Sequence, residues 1–134
     1  MSDVVWQLAQ VFWVGGVWVM HFGVLPVLSH IGLAALLVHD IGRQATAVLM
    51  AFAAACVAVQ MVLLVLAQGV ASLWRDVRGQ LLIVAGLDCA AYFALQLWEP
   101  SAVRWQLFCY LGLGLTGLFL VLQPAPGRAR EARR

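Results

Sequence analysis

The residues best suited to chemistry form a polar stripe within the apolar segment LLIVAGLDCAAYFALQLW. Asp88 lies at the centre of this segment, and Tyr92 and Gln96 follow at intervals of four residues, so one helix face carries all three. A carboxylate at the middle of a bilayer costs about 2.5–3.5 kcal/mol, so it is expected to face a protein interior or to be protonated. The stripe predicts either a proton or cation site, or a protonated Asp88 that hydrogen-bonds to a neighbouring helix and fixes its packing.

His21 lies in the first apolar segment, roughly 8 Å outward of its middle at about 1.5 Å per helical residue. At that depth the imidazole would meet Tyr92 or Asp88 if the two helices touch, giving a proton relay or half of a metal site. The alternative is an imidazole hydrogen-bonded to a backbone carbonyl or a hydroxyl. His21 therefore joins the stripe in one candidate intramembrane polar site.

Further candidate metal ligands follow the first apolar segment, in HIGLAALLVHDIGRQ. His30, His39 and Asp40 could hold a divalent cation at the outer surface, and His21 is the fourth candidate ligand. The histidines of this segment are nine positions apart, which is not a standard metal-ligand spacing. The cysteines lie inside apolar segments without CxxC spacing and are interpreted as reduced packing residues: Cys56, Cys89 and Cys109.

Motifs of common enzyme classes are missing from the sequence, which contains no GxxxxGK[ST], GxSxG or HExxH. Enzymatic chemistry would have to come from Asp88, His21 and Tyr92 alone, so we predict no catalytic residues and no enzyme. The sequence requires no cofactor. A haem held by His21 and His39 from two helices stays open as an alternative.

The composition indicates what positions these residues. Of the 134 residues, 64% are hydrophobic and 10% are charged, with a mean hydropathy of +0.95. Soluble domains are about 45–50% apolar and about 25% charged. So little charge cannot cover a surface that faces water, which excludes an ordinary soluble domain, a disordered tail and a nucleic-acid binder. The chain is predicted to be an integral membrane protein in contact with the lipid bilayer.

Several apolar segments are long enough to cross a bilayer, which takes about 20 residues in a helix. We predict an all-α bundle of four transmembrane helices within residues 1–122, with spans at about 4–28, 45–67, 80–98 and 105–122. Residues 29–44 are expected to form a short helix in the outer interface or an early start of the second span. Residues 123–134 form a basic tail rich in proline and arginine.

The arginines predict the orientation, because the chain contains no lysine. The side with both termini would carry Arg75, Arg78, Arg128, Arg130, Arg133 and Arg134. The other side would carry only Arg43 and Arg104. The positive-inside bias then places both termini in the cytoplasm, across a bacterial inner membrane. Amphipathic indole rings would mark the interfaces, with Trp6 and Trp74 inside and Trp98 and Trp105 outside.

Small residues in the first and fourth spans predict close contacts between helices. The candidates are Gly15, Gly16, Gly23, Gly112, Gly114, Gly117 and Thr116. Gly112 and Thr116 form a small-xxx-small pair, and Gln60 and Thr116 are expected to hydrogen-bond between helices.

The stretch WVGGVWVMHFGVLPVLSHIG, followed by LVHDIGRQATAVL, resembles the small bacterial four-helix proteins of domain-of-unknown-function family 4149. These proteins are similar to the membrane domain of transmembrane protein 205. The likeness covers about the first 65 residues and lies in Gly15 and Gly16, in VLPVL around Pro26, and in Gly42. It implies a four-helix inner-membrane protein with no settled activity. The phrase FWVGGVWVMHF also resembles the Trp-x-Gly-Gly stretch of the copper-resistance protein D membrane domain. Those proteins place histidines in several helices, and His21 is the one histidine that matches them.

Three functional hypotheses follow from these patterns. The first is a small non-catalytic accessory or interaction subunit that forms a homo-oligomer or joins a larger membrane complex. The second is transport or sensing of a proton or of a cation such as copper, carried by Asp88 with His21 and Tyr92. The third is a haem- or quinone-linked membrane subunit.

Overall fold

The computed structural model of the chain describes residues 2–123 and residue 131. All regular structure within these residues is helical, and four helices are long and apolar enough to cross a membrane. The predicted all-α architecture with four transmembrane helices is therefore confirmed. The predicted basic tail lies almost wholly outside the described residues, and so do its arginines, Arg128, Arg130, Arg133 and Arg134.

The chain folds into four long helical rods joined by short turns. The α-helices are α1 (Ser2–Val19), α2 (Leu25–His30), α3 (Ala35–Gln68), α4 (Ser72–Arg75), α5 (Val77–Trp98) and α6 (Val103–Leu122). A π-helical segment, Met20–Val24, joins α1 to α2, so these elements form one continuous rod.

Successive rods run in opposite directions and pack around a common core. The rod containing α1 packs against α3, α3 against α5, α5 against α6, and α6 closes the ring against α1. Short connections favour this up-down-up-down arrangement because they can join only neighbouring helix ends. The end with residues 2, 69–76 and 122 is called the N-terminal end, and the end with residues 31–34 and 99–102 the opposite end.

Most helix boundaries agree with the predicted spans to within a few residues, and the start of α3 differs most. The first rod continues past Pro26 to His30. α3 begins at Ala35, well before the predicted start at 45, so residues 35–44 are an early start of the second span. Gly32, with a φ of 77°, makes the tight turn between these rods. A hydropathy criterion misses the first turns of α3 because they carry charged residues, although their backbone is helical.

A buried hydrogen-bond network ties α1 to α3 near the N-terminal end. The indole N–H of Trp13 donates to Gln60 Oε1 at 2.9 Å, and Gln60 Nε2 donates to the Trp6 carbonyl at 3.3 Å. The Gln60 side chain is completely buried. Lipid offers no partner for such polar groups, so this network satisfies them inside the bundle. The expected role of Gln60 in joining helices is confirmed.

Glycines let the rods approach each other at some of the predicted positions. A Cβ at Gly16 would lie 3.0 Å from Leu49 of α3, and one at Gly112 would lie 3.1 Å from the Asp88 carboxylate of α5. A Cβ at Gly15 would meet nothing within 4 Å, and one at Gly23 would meet only Val19 of its own rod. Close packing therefore depends on part of the predicted set, which includes Gly117, where a Cβ would lie 2.8 Å from Val14 of α1.

Thr116 is buried, but its hydroxyl donates to the Gly112 carbonyl at 2.8 Å, within the same helix. The expectation that Thr116 hydrogen-bonds to another helix is therefore wrong. A threonine hydroxyl in an apolar helix commonly bonds to the carbonyl one turn earlier, because that acceptor is always within reach.

The outer surface of the rods is apolar, as expected for a protein in contact with lipid. Large exposed side chains on it include Phe12, Val48, Leu66 and Phe119. Trp74, Trp98 and Trp105 are also exposed near the rod ends, but Trp6 is buried in the core. The expectation that Trp6 marks an interface is wrong, because its ring packs inside the bundle beside the Gln60 network.

Gly117→Ala should destabilise the bundle. The added Cβ would lie 2.8 Å from Val14 Cγ2 and 2.9 Å from Trp13 Cη2, and such overpacking costs about 1–3 kcal/mol. Gly15→Ala is the matched control. A Cβ there meets nothing within 4 Å, and alanine favours the helix over glycine by up to about 1 kcal/mol, so this variant should be at least as stable as the wild type. Thermal unfolding in a mild detergent measures both variants, and equal stabilities would contradict the close α1–α6 contact.

Candidate functional site

A cavity of about 520 Å³ opens between the rods at the opposite end, hereafter the cavity end. Its volume falls in the range of about 300–1,000 Å³ that is typical of small-molecule sites. All four rods and the turn before α3 contribute to its walls. The cavity therefore is the place where the bundle could hold a ligand.

The cavity walls can be divided by depth, using the contacts that place Leu25 beside Gly42 and His21 beside Tyr110 to align the rods. The deepest layer is polar and consists of His21, Thr46, Tyr92 and Tyr110. The middle layer is mixed and consists of Leu25, Gly42, Arg43, Gln106 and Leu107. The mouth is mostly apolar and consists of Ser29, Leu33, Ala35, Val38, His39 and Val103. None of these lining residues is acidic.

The π-helical segment forms the wall that carries His21. Pro26 has no N–H, and its ring cannot fit against the carbonyl one turn earlier in a regular α-helix. The turns before it widen, and the Leu25 N–H donates to the Met20 carbonyl five residues back. Single π-helical turns in α-helices often occur at functional sites. Here the wider turn places the His21 ring 5.8 Å from the Tyr110 ring, measured between centroids.

Tyr110 holds α6 against the first rod at the deepest layer of the cavity, hereafter the cavity floor. Its hydroxyl donates to the Val17 carbonyl at 2.6 Å, and this bond is buried. Val17 lies just before the π-helical segment. The bond thus fixes the deepest layer of the cavity and the start of the widened turn together.

The early turns of α3 bring basic side chains to the cavity. Gly42 is buried, and a Cβ there would lie 3.0 Å from Leu25 Cδ2, so glycine lets α3 approach the first rod closely. Arg43 follows directly, and His39 precedes it by one helical turn on the same face. Both side chains line the cavity, with Arg43 below His39.

Two polar residues of the cavity wall have little exposed surface, and their side chains have no hydrogen-bond partner among the described residues. Tyr92 and Gln106 are only 2% and 7% exposed. Neither side chain makes a hydrogen bond to another part of the described chain, whereas the Tyr110 hydroxyl does. Buried polar groups are normally hydrogen-bonded. The Tyr92 hydroxyl and the Gln106 amide are therefore available to a ligand in the cavity.

The structure divides the predicted intramembrane site into two parts. His21 and Tyr92 line the cavity, but Asp88 and Gln96 are not among its lining residues. Asp88 lies one turn deeper than Tyr92 on α5, where its carboxylate packs on Gly112 of α6. Its Oδ2 is buried and has no hydrogen-bond partner within the described residues.

The candidate metal ligands are not brought together. His30 Nδ1 lies 2.8 Å from the Pro26 carbonyl in its own helix, and Asp40 is exposed outside the cavity lining. Residues 2–123 and 131 contain no group of three or more His, Cys, Asp or Glu placed to hold a metal ion. His21 and His39 both line the cavity, at its floor and its mouth, and the haem alternative stays a prediction.

Sequence reasoning missed Thr46, Gln106 and Tyr110 as cavity residues. A pattern could have indicated them, because Gln106 and Tyr110 are four residues apart, as are His39 and Arg43, with Thr46 three residues further. Each set places polar side chains on one face near the start of an apolar helix. Which faces turn towards each other depends on how the rods pack.

Tyr110→Phe should lower the free energy of unfolding by about 0.5–1.5 kcal/mol, because it removes the buried hydrogen bond to Val17. Tyr92→Phe is the matched control, since the Tyr92 hydroxyl has no protein partner in the described chain and its loss should leave stability unchanged. Thermal unfolding in detergent compares them, and an equal loss in both variants would contradict these different roles.

No family model, curated protein or solved structure matches the chain.

Proposed function

We propose that this chain is a small non-catalytic multi-pass protein of the bacterial inner membrane that binds a small molecule in its cavity and acts as an accessory subunit. The observation that carries the proposal is the cavity, whose wall presents the side chains of Tyr92 and Gln106 without a hydrogen-bond partner in the described chain. A few placed polar groups within apolar walls are typical of small-molecule sites. We also propose, from the likeness of its N-terminal half, that the chain is related to domain-of-unknown-function family 4149.

Binding is better supported than conduction through a single bundle. Between the cavity floor and the N-terminal end, the interior is filled by completely or almost completely buried side chains. These include Trp13, Met50, Ala53, Val57, Gln60, Leu64, Leu82 and Leu113. A four-helix bundle encloses little besides its own side chains, and this interior leaves no space for a permeation path.

The proposed orientation places the cavity on the outer face. Arg75 and Arg78 lie at the N-terminal end, and the positive-inside bias would put that end in the cytoplasm. For the accessory role, we propose association with a second copy or a larger membrane complex. Gly15 and Gly23 support this, since no helix of the described chain lies against them and another helix could approach closely.

A second candidate function is proton or cation handling through Asp88. Its buried Oδ2 without a partner favours this function, because ionisable groups inside a membrane are costly to bury and most often mark a functional site. Asp88 lies one turn below the cavity floor, so a proton reaching Tyr92 would have one helical turn further to travel. Because the interior beyond is filled, this function would need an interface between subunits.

Val38→Trp tests ligand binding in the cavity. The probe is octanol carrying a photoreactive diazirine, applied to the full-length protein in phosphatidylcholine nanodiscs, with labelled residues mapped by mass spectrometry. We expect labelling of cavity residues in the wild type and a clear loss in Val38→Trp, because the indole occupies the mouth.

Val48→Trp is its matched control, because Val48 lies on the same helix but is 71% exposed outside the cavity. This variant should retain the cavity labelling. Labelling confined to lipid-facing residues in the wild type would overturn the proposed function.

Asp88→Asn distinguishes the two candidate functions. In a ligand-binding accessory protein, asparagine keeps the size of the side chain, so cavity labelling and folding should stay unchanged. In a proton-handling protein, vesicles containing the wild type should show proton uptake with a pH-sensitive dye, and Asp88→Asn should abolish it. Uptake that depends on Asp88 would favour the second function over the first.

A further inference from the structure

The cavity has an excess of positive charge. Arg43 lines its middle layer, and His39 lies one turn nearer to the mouth. The lining contains no carboxylate that could neutralise the guanidinium. Asp40 points outside the cavity lining, and Asp88 packs on Gly112 below the floor. An arginine stays charged at any physiological pH. Arg43 is exposed, and apolar residues of the cavity lining lie beside it, so an anion bound there would meet both the guanidinium and apolar walls.

Hydrogen-bond donors surround the same region. Gln106 lies in the middle layer with Arg43, and Tyr92 and Thr46 lie just below them. Tyrosine and threonine hydroxyls and a glutamine amide all donate to oxygen atoms. An oxyanion with several acceptor atoms can use these donors together with the guanidinium, whereas a neutral ligand leaves the charge of Arg43 uncompensated.

The polarity of the cavity changes with depth in a way that orients a ligand. The mouth is formed mainly by apolar side chains, among them Leu33, Val38 and Val103, and the polar groups lie below it. An amphiphile would therefore match these walls with its polar group pointing into the bundle. A phospholipid of the surrounding bilayer has the opposite orientation, with its head group at the water interface and its chains towards the midplane.

We propose that the ligand is a free amphiphile with one carboxylate- or phosphate-type head group, bound head-inward. The head group lies at Arg43 and accepts hydrogen bonds from Tyr92 and Gln106, while its apolar part lies between Leu33 and Val103 at the mouth. This inference rests on the proposed ligand-binding function and adds the chemical class and the pose of the ligand.

Competition against the diazirine-bearing octanol tests the head group. Octanoate, octyl phosphate and octanol are compared as competitors on the full-length protein in phosphatidylcholine nanodiscs at pH 8. We expect octanoate or octyl phosphate to displace the label at a concentration at least about tenfold lower than octanol does, the size of effect expected for one charge-assisted hydrogen bond. Arg43→Gln should remove this advantage.

Arg104→Gln is the matched control, because Arg104 is an exposed arginine near the same end that does not line the cavity. This variant should keep the advantage of the anionic competitors. The diazirine-bearing octanol could label the cavity while all three competitors displace it at equal concentrations, or while both arginine variants behave alike. Either result would show that the ligand is not an anion, although the proposed ligand binding would still hold. If the diazirine-bearing octanol does not label the cavity at all, the proposed ligand-binding function is wrong.

The pose is tested with octanoate that carries the diazirine at the end of its chain. A head-inward ligand should label the mouth, at Leu33, Val38 or Val103. Labelling of Thr46 or Tyr110 at the floor instead would overturn the pose. Loss of labelling when phosphatidylglycerol replaces phosphatidylcholine would identify a bilayer phospholipid as the occupant and overturn the proposal of a free amphiphile.

Discussion

Polar groups between these helices must find partners inside the protein, because the lipid around the bundle offers none. Near the N-terminal end, Gln60 meets this constraint by accepting from the Trp13 indole and donating to the Trp6 carbonyl. At the cavity floor, Tyr110 meets it by donating to Val17. These bonds join α1 to α3 and α6 to α1, so they also determine which helix faces meet. Not every polar group meets it, since Trp18 Nε1, Arg78 and Asp88 Oδ2 are buried without a hydrogen-bond partner in the described chain. Tyr92 and Gln106 line the cavity without such a partner, and their polar atoms are available to a ligand there.

The two ends of the bundle differ because their backbones differ. In the N-terminal half, regular helices and small residues allow side chains such as Trp13 to fill the interior against Gly117. At the cavity end, Pro26 interrupts the hydrogen-bond ladder, the first rod widens into a π-helix, and α3 extends beyond the span predicted from hydropathy. Apart from the close contact of Gly42 with Leu25, the rods leave space between them there, in a cavity of about 520 Å³.

The charge of this cavity follows from the same extension of α3. If α3 began at residue 45, Arg43 and His39 would belong to a loop and their positions would not be set by the helix. As part of α3, they occupy successive turns of one face beside Gly42, which packs closely against Leu25. A rigid helix holding a basic pair next to apolar walls favours an amphiphilic anion, because one ligand can satisfy both kinds of surface.

The sequence by itself determined the helical architecture and most of the spans, because an apolar segment of about 20 residues in lipid has few alternatives to a helix. It also indicated His21, Tyr92 and the joining role of Gln60, since polar residues are conspicuous in apolar segments. The tertiary structure decided which of them come together. Hydropathy does not report helix rotation or packing, so it could not show that Tyr92 lines a cavity together with Gln106 while Asp88, one turn deeper, packs on Gly112. It also could not place the start of α3, because charged residues lower the hydropathy of a helical turn without breaking its backbone hydrogen bonds.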